Sequence, residues 1–152
     1  MHNISLKPIG YVSSSVTRRR DKDWGDIESR IVLEPEYSGA LLGLENFSHA
    51  IIVTYLHESV YEKEKHLQRR PRNLEAMPLT GIFSQRGKNR PNPVGVTAVR
   101  IIQVMGDSLE VKGLDAIDGT PVIDIKPYYP HYDKIDNARI PDWVDDLMKG
   151  YF

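Results

Sequence analysis

The chain has 152 residues, a formal net charge of -1, a pI near 6.5 and no cysteine. That length suits one domain with a proper core and is short for two. The near-neutral balance excludes a protein that coats nucleic acid through bulk charge, and the lack of cysteine excludes disulfides, thiolate nucleophiles and cysteine zinc sites.

In chain order, the start Met1-His2-Asn3-Ile4 shows no charged leader followed by a long apolar stretch. Nothing later approaches the run of about 20 apolar residues that a membrane helix needs, so a soluble, cytoplasmic protein with no membrane partner is expected. Residues 4–12 open with a strand-like segment ending in serines. Ile27, Ser29, Ile31 and Leu33 alternate with Glu28 and Arg30, which predicts a half-buried strand bounded by Pro35. Residues 37–44 predict a short helix ended by Gly43 or Asn46. Residues 50–56 form a continuous apolar run that suits a fully buried strand. Residues 58–80, rich in charge and proline, predict a long exposed excursion of the functional or disordered kind. Residues 94–104 and 108–112 flank Met105-Gly106-Asp107 and predict a hairpin. Residues 122–125 follow an Asp118-Gly119 turn. Pro141 is placed to start a terminal helix, and Gly150 to end it. The sum is a mainly β chain, in which an antiparallel sheet of six or more short strands closes into a barrel and so removes its own edges.

Charge is polarised along this pattern. Residues 61–90 hold eight Lys or Arg against three Glu, a net of +5, while residues 115–152 hold eight Asp against four Lys or Arg, a net of -4. Inside the basic stretch begins the corner SQRGKNRPNPVG, residues 84–95. Arg90 and Asn92 both precede proline and are pushed toward extended conformations, while Pro91 and Pro93 fix their own φ angles. Asn92 becomes a preorganised amide, and Gly95 lets the backbone approach a neighbour closely. The plainer alternative is a stiff strand entry with a capping asparagine. A second polar concentration covers residues 113–133, where Asp115, Asp118 and Asp124 punctuate apolar residues and must meet donors, cations or water. Here Asp118 can simply serve a turn, and Asp124 can pair with Lys126. Tyr128, Tyr129 and Tyr132 can stack on a base, rim the core or meet a subunit.

Several chemistries are absent. No two glycines stand two apart, which removes the dinucleotide fingerprint, and the P-loop, G-x-S-x-G and H-E-x-x-H patterns are missing. His49 and His57 share a strand face only on a strand that spans both, about 26 Å apart at the usual rise, so one metal cannot bridge them. A site of aspartates and histidines assembled from distant loops stays open, but no metal is expected.

The segments IGYV (9–12), GLENFSHAIIVTYLH (43–57), GIFSQRGKNRPNPVGVTAV (81–99) and LDAIDGTPVIDIKPYYPHYD (114–133) closely resemble the TsaA-like family. Its best-known members are S-adenosylmethionine-dependent methyltransferases acting on threonylcarbamoyl-adenosine beside the tRNA anticodon. The resemblance implies a small single-sheeted antiparallel β-barrel over residues 1–135, with residues 136–152 as a C-terminal helical appendage of the same domain. It also implies a homodimer whose cofactor site lies near the subunit interface. Carried over by motif, the S-adenosylmethionine contacts are His57, Glu58, Arg86, Asn92 and Val96, with Gly113, Leu114 and Asp115 as a further wall and Trp24 and Gly25 in the less securely aligned first loop. An arginine such as Arg86 suits the cofactor's carboxylate, and Asp115 its ribose hydroxyls and amine. Asp118, Asp124 or water are the candidates for a catalytic base. Arg69, Arg70, Arg72, Lys88, Arg90 and Lys126 are the candidates for phosphate contacts with tRNA. Two departures stand out. Bacterial tRNA enzymes of this family carry a further C-terminal region beyond the shared part, and Gly87-Lys88-Asn89 replaces the family's usual residues before R-P-N-P. A non-catalytic S-adenosylmethionine-binding module and a small-molecule methyltransferase on the same barrel are the alternatives.

Overall fold

The computed structural model describes residues 2–152. Six strands close an antiparallel barrel: β1 (Gly10–Ser14), β2 (Glu28–Leu33), β3 (His49–Tyr55), β6 (Val94–Met105), β7 (Ser108–Lys112) and β8 (Pro121–Pro127). Their order round the barrel is β1-β2-β7-β6-β3-β8. Two further short strands, β4 (Gln68–Arg69) and β5 (Thr80–Gly81), pair with each other outside it. The helices are short: α1 (Lys63–His66), α2 (Pro130–Asp133) and α3 (Asp142–Met148).

Period-two alternation decides which side of each strand meets the core. Ser29, Ile31 and Leu33 of β2 point inward with Leu109 and Val111 of β7, and Ala50 and Ile52 of β3 meet Val99 of β6. Ile31, Ile52, Leu109 and Val111 are fully excluded from solvent. The β6–β7 hairpin turns at Gly106-Asp107, where Met105 pairs with Ser108 and Gly106 has φ 57°. A positive φ at the first central residue of a two-residue turn is the conformation glycine supplies without steric cost. At the start of β1, a side chain on Gly10 would overlap the Val32 carbonyl, so that strand crossing requires glycine.

Four expectations are corrected. The first strand is Gly10–Ser14, not residues 4–12. Pro8 cannot donate to a ladder, and Ile4 and Leu6 stay exposed. β3 is buried on one face only, with Ile51 and Val53 half-buried, because a single-layer barrel has one inside. Residues 37–44 form no α-helix. Gly39 and Gly43 have φ of 87° and 91°, and the chain makes separate 3₁₀ turns at Pro35–Tyr37 and Leu44–Asn46. The excursion 58–80 is folded: it holds α1 and the β4–β5 ribbon and buries His66, Pro71 and Met77, with Ile82 buried just beyond.

Antiparallel connectivity then sorts the loops. Connections 15–27, 56–93 and 113–120 all leave one end of the barrel, whereas 34–48 and the 106–107 turn leave the other. Every residue expected to contact the cofactor lies in or beside the first three. Replacing Ile52 by alanine is expected to lower stability by about 2–5 kcal/mol in urea unfolding. Leu42→Ala, at a site 91% exposed, should stay within about 0.5 kcal/mol of the parent.

Candidate functional site

The corner at residues 84–95 is held by its own side chains. Arg90 Nη1 donates to the carbonyls of Gln85 at 2.9 Å and Gly87 at 3.3 Å. Gln85 is buried, and its Nε2 donates to Arg69 O (2.8 Å), Thr80 O (3.1 Å) and Thr80 Oγ1 (2.8 Å), which fastens the corner to the β4–β5 ribbon. Leu56 N donates to Pro93 O at 2.8 Å, and Val60 N to Asn89 Oδ1 at 3.2 Å. Arg86 is exposed and donates from Nη2 to the Val96 carbonyl at 2.6 Å. The Asn92 side chain is exposed, while its carbonyl accepts from Val94 N at 2.7 Å. His57 and Glu58 lie just past β3, after Leu56, and Glu58 pairs with Arg19 at 3.6 Å.

One residue beyond Val96, a polar chain crosses the barrel mouth. Thr97 Oγ1 donates to Asp115 Oδ1 at 2.5 Å, and Tyr151 OH donates to Asp115 Oδ2 at 2.5 Å. Burial first, and then the adjoining Asp115 carboxylate, push the Tyr151 hydroxyl well above the ordinary phenol range, so it stays a donor. Trp24 is buried with Val16 and Ile117. Its Nε1 donates to Arg20 O at 3.1 Å, its backbone N donates to Tyr151 O at 2.8 Å, and the Arg20 guanidinium sits 4.9 Å from its ring centre. Gly25 faces the backbone of Phe152 so closely that any side chain would overlap it. Gly113 has φ 91° and donates to Ile27 O at 2.9 Å. Leu114 is part of the core, which leaves only its backbone to face the mouth.

The structure therefore gathers Trp24, Gly25, Arg86, Val96, Gly113 and Asp115 along one end of the barrel, with His57, Glu58 and Asn92 on the adjoining loops. It does not bring the two base candidates to that chain. Asp118 sits in the expected turn and accepts from Ser14 N at 2.9 Å. Asp124 lies on the outer wall and pairs with Lys126 at 2.6 Å. The cations also spend donors on the protein. Arg70 donates to Met77 O. Arg72 donates to Leu147 O at 2.8 Å, lies 3.8 Å from Asp21 and 5.8 Å above the Tyr151 ring. Arg69 is half-buried, with its Nε unpartnered. Lys88 is half-buried too; its own burial, and then the positive charge of Arg19, hold its ammonium below the usual lysine range.

Sequence reasoning missed Thr97, Gln85, Arg19 and Tyr151. Thr97 was within reach, since it lies two residues from Gly95 on the inward face of β6. Nothing local marks Tyr151, which meets Asp115 only through tertiary folding. Two surface depressions, one along Ser13, Ser14, Arg30 and Glu110 and the other along Gly39, Leu41 and Val104, touch no expected cofactor residue. Among the described residues, no group of three His, Asp or Glu is placed to hold a metal, and no helix is long and apolar enough to cross a membrane.

These features define a small closed antiparallel barrel that carries a cation, a carboxylate and strand-entry backbone together on the loops of one end. Residues 12–134 match the family of the tRNA-methyltransferase O N-terminal domain, and the chain belongs to that family. It is 40% identical over 136 residues to a probable S-adenosyl-L-methionine-binding protein of Methanothermobacter thermautotrophicus, covering 87% of this chain and 95% of that one. It is 35% identical over 150 residues to the human tRNA (adenine(37)-N6)-methyltransferase, covering 91% of this chain and 33% of the human protein. The crystal structure of TrmO from Pseudomonas aeruginosa superposes with a TM-score of 0.76 at 30% identity, covering 94% of this chain and 62% of that one. The chain thus spans most of its archaeal relative, about three fifths of the Pseudomonas protein and a third of the human one.

Arg72 links the excursion to α3 through Leu147 and Tyr151. Arg72→Ala is expected to speed amide hydrogen exchange across residues 142–152 roughly tenfold or more, the loss of one charge-assisted hydrogen bond. Arg86→Ala, whose partner is the Val96 carbonyl, should leave it unchanged.

Proposed function

We propose that this chain binds S-adenosylmethionine at the loop end of its barrel and transfers the methyl group to a nitrogen of threonylcarbamoyl-adenosine in tRNA. One observation carries the reading: Arg86, Val96 and Asp115 come from separate segments of the chain and converge at one barrel mouth, beside the folded basic excursion. The donor set fits the cofactor. Arg86 is an exposed guanidinium suited to a carboxylate, Asp115 is an acceptor for hydroxyl or amine, and Val96 offers an apolar side chain with a backbone carbonyl. When bound, S-adenosylmethionine supplies a methyl group on a cationic sulfur.

The chain's own work is then alignment. An in-line displacement needs the acceptor nitrogen held opposite the leaving sulfur, and the proline-stiffened corner fixes Arg86 and the entry of β6 before any ligand arrives. Asp118 and Asp124 remain the base candidates, but each carboxylate is already engaged, by Ser14 N and by Lys126. Release of the acceptor's proton to water agrees better with that arrangement. Lys88 and Arg69, the cations with fewest internal partners, support the tRNA contact, with Arg70, Arg72 and Arg90 keeping free donors from a five-donor guanidinium. The name of the human relative supports adenosine beside the anticodon as the acceptor.

Titration calorimetry should detect S-adenosylmethionine binding by the parent and its loss, by tenfold or more on the order of one charge-assisted contact, in Arg86→Ala. In a strain lacking the protein, mass spectrometry of bulk tRNA nucleosides should show one methylated nucleoside missing, and an intact profile would remove the tRNA assignment. A second reading, a binding module without turnover, is favoured by the archaeal relative's name, since this chain spans 95% of it. Transfer of a labelled methyl group to tRNA would eliminate it.

The same reading includes a homodimer, supported by the exposed apolar pair Tyr55–Val94 on the outer wall of β3 and β6. Sedimentation equilibrium is expected to give twice the 17.4 kDa chain mass, and a monomer at every concentration would exclude it.

A further inference from the structure

The partners of residues 150–152 coincide with the residues expected to hold the cofactor. Tyr151 OH holds the Asp115 carboxylate. Gly150 O and Tyr151 O accept from the backbone of Asp23 and Trp24, each at 2.8 Å. Phe152 backbone lies against Gly25. A ligand hydroxyl or amine seeking Asp115 would meet Tyr151 there already, and a ligand reaching the Trp24 ring would find it 2% exposed.

The hold on this segment is slight compared with that on the barrel. α3 contributes no buried residue, the Phe152 ring is 62% exposed, and Gly150 has φ 70°, a conformation that glycine enters and leaves freely. Apart from three backbone bonds to residues 23, 24 and 148, its attachments are the Tyr151 hydroxyl, the half-buried Tyr151 ring packed against the small Val16, Trp24 and Ile117 cluster and under the Arg72 guanidinium, and, one turn earlier, the Arg72 bond to Leu147. Segments with few buried apolar contacts open at a fraction of the global unfolding free energy. By contrast, Thr97 belongs to β6, whose backbone is held in the barrel, so it stays beside Asp115 when the segment moves.

We infer that residues 150–152 are an internal stand-in for the cofactor: Tyr151 occupies the outer oxygen of Asp115 in the closed state, and S-adenosylmethionine binding displaces the segment and uncovers Trp24. This rests on the proposed cofactor site and adds to it a built-in competitor. The fraction of molecules with the segment open sets the apparent affinity. Weakening the Tyr151 contact therefore tightens binding, the opposite of what removing a wall residue does.

The test is calorimetric titration of S-adenosylmethionine into the full chain and into Tyr151→Phe, which keeps the ring and deletes only the hydroxyl. The expected result is a Kd lowered about three- to tenfold in the variant, the share of closure held by that bond. A parallel arm uses Trp143→Phe, which leaves Trp24 as the sole tryptophan and removes no hydrogen bond or ring stack of Tyr151. Saturating S-adenosylmethionine should move its emission to longer wavelength as the ring is uncovered. Equal or weaker binding by Tyr151→Phe, or an unmoved Trp24 emission at saturation, overturns the inference while leaving the cofactor site in place. Binding by the variant alone supports it. No binding by either chain removes the cofactor reading, and the inference with it.

Discussion

Closure of a six-stranded antiparallel sheet is the constraint from which the rest follows. A barrel has one inside, so period-two alternation in β2, β3, β6 and β7 commits Ile31, Ile52, Val99 and Val111 to a single core. Closure also leaves no free edge among the six strands, and it fixes the direction of each connection. With alternate strands running opposite ways, the connections 15–27, 56–93 and 113–120 are obliged to meet at one mouth. The site is a consequence of connectivity before it is a consequence of any side chain.

At that mouth the energetics are those of buried polar groups. Asp115 is half-buried and meets a donor on each oxygen, Thr97 from the rigid β6 and Tyr151 from the distant C-terminal segment. A carboxylate so placed needs such donors, since leaving one side unmet in a partly dry site costs about 1–3 kcal/mol. The two donors differ in kind. Thr97 is fixed by twelve residues of ladder, whereas Tyr151 follows a helix with no buried residue and packs only against the small Trp24 cluster. That asymmetry makes one oxygen of Asp115 a structural acceptor and the other an exchangeable one.

The basic excursion illustrates how local charge reads differently once folded. Eight cations between residues 61 and 90 suggest an open electrostatic surface. Folded, Arg70, Arg72 and Arg90 use guanidinium donors to tie turns to carbonyls, and Gln85 joins the ribbon to the corner. The stretch is thus partly its own scaffold. Lys88, half-buried beside Arg19 and Arg69, is where positive charge concentrates, with Asp21 offsetting part of it. An anionic acceptor would relieve that repulsion.

Legible in the sequence alone were the barrel's inside, the β6–β7 hairpin and the stiff corner, with the Asp118 turn and the Asp124–Lys126 pair as the plainer alternatives to catalytic roles. Each of these is set by contacts within a few residues, by strand period or by the fixed φ of proline. Long motifs in the sequence also pointed to the family, and residues 24, 25, 86, 96, 113 and 115, expected from it, lie at one end of the barrel. Only the tertiary structure decided that β3 has a half-covered outer face, that residues 37–44 coil instead of forming a helix, and that the excursion buries His66 and Met77. It alone joined Tyr151 to Asp115 across thirty-six positions and set Arg72 against α3. Such contacts leave no trace in local pattern. Their partners are brought together by barrel closure, and a hydrogen bond between distant residues has no period in the sequence to announce it.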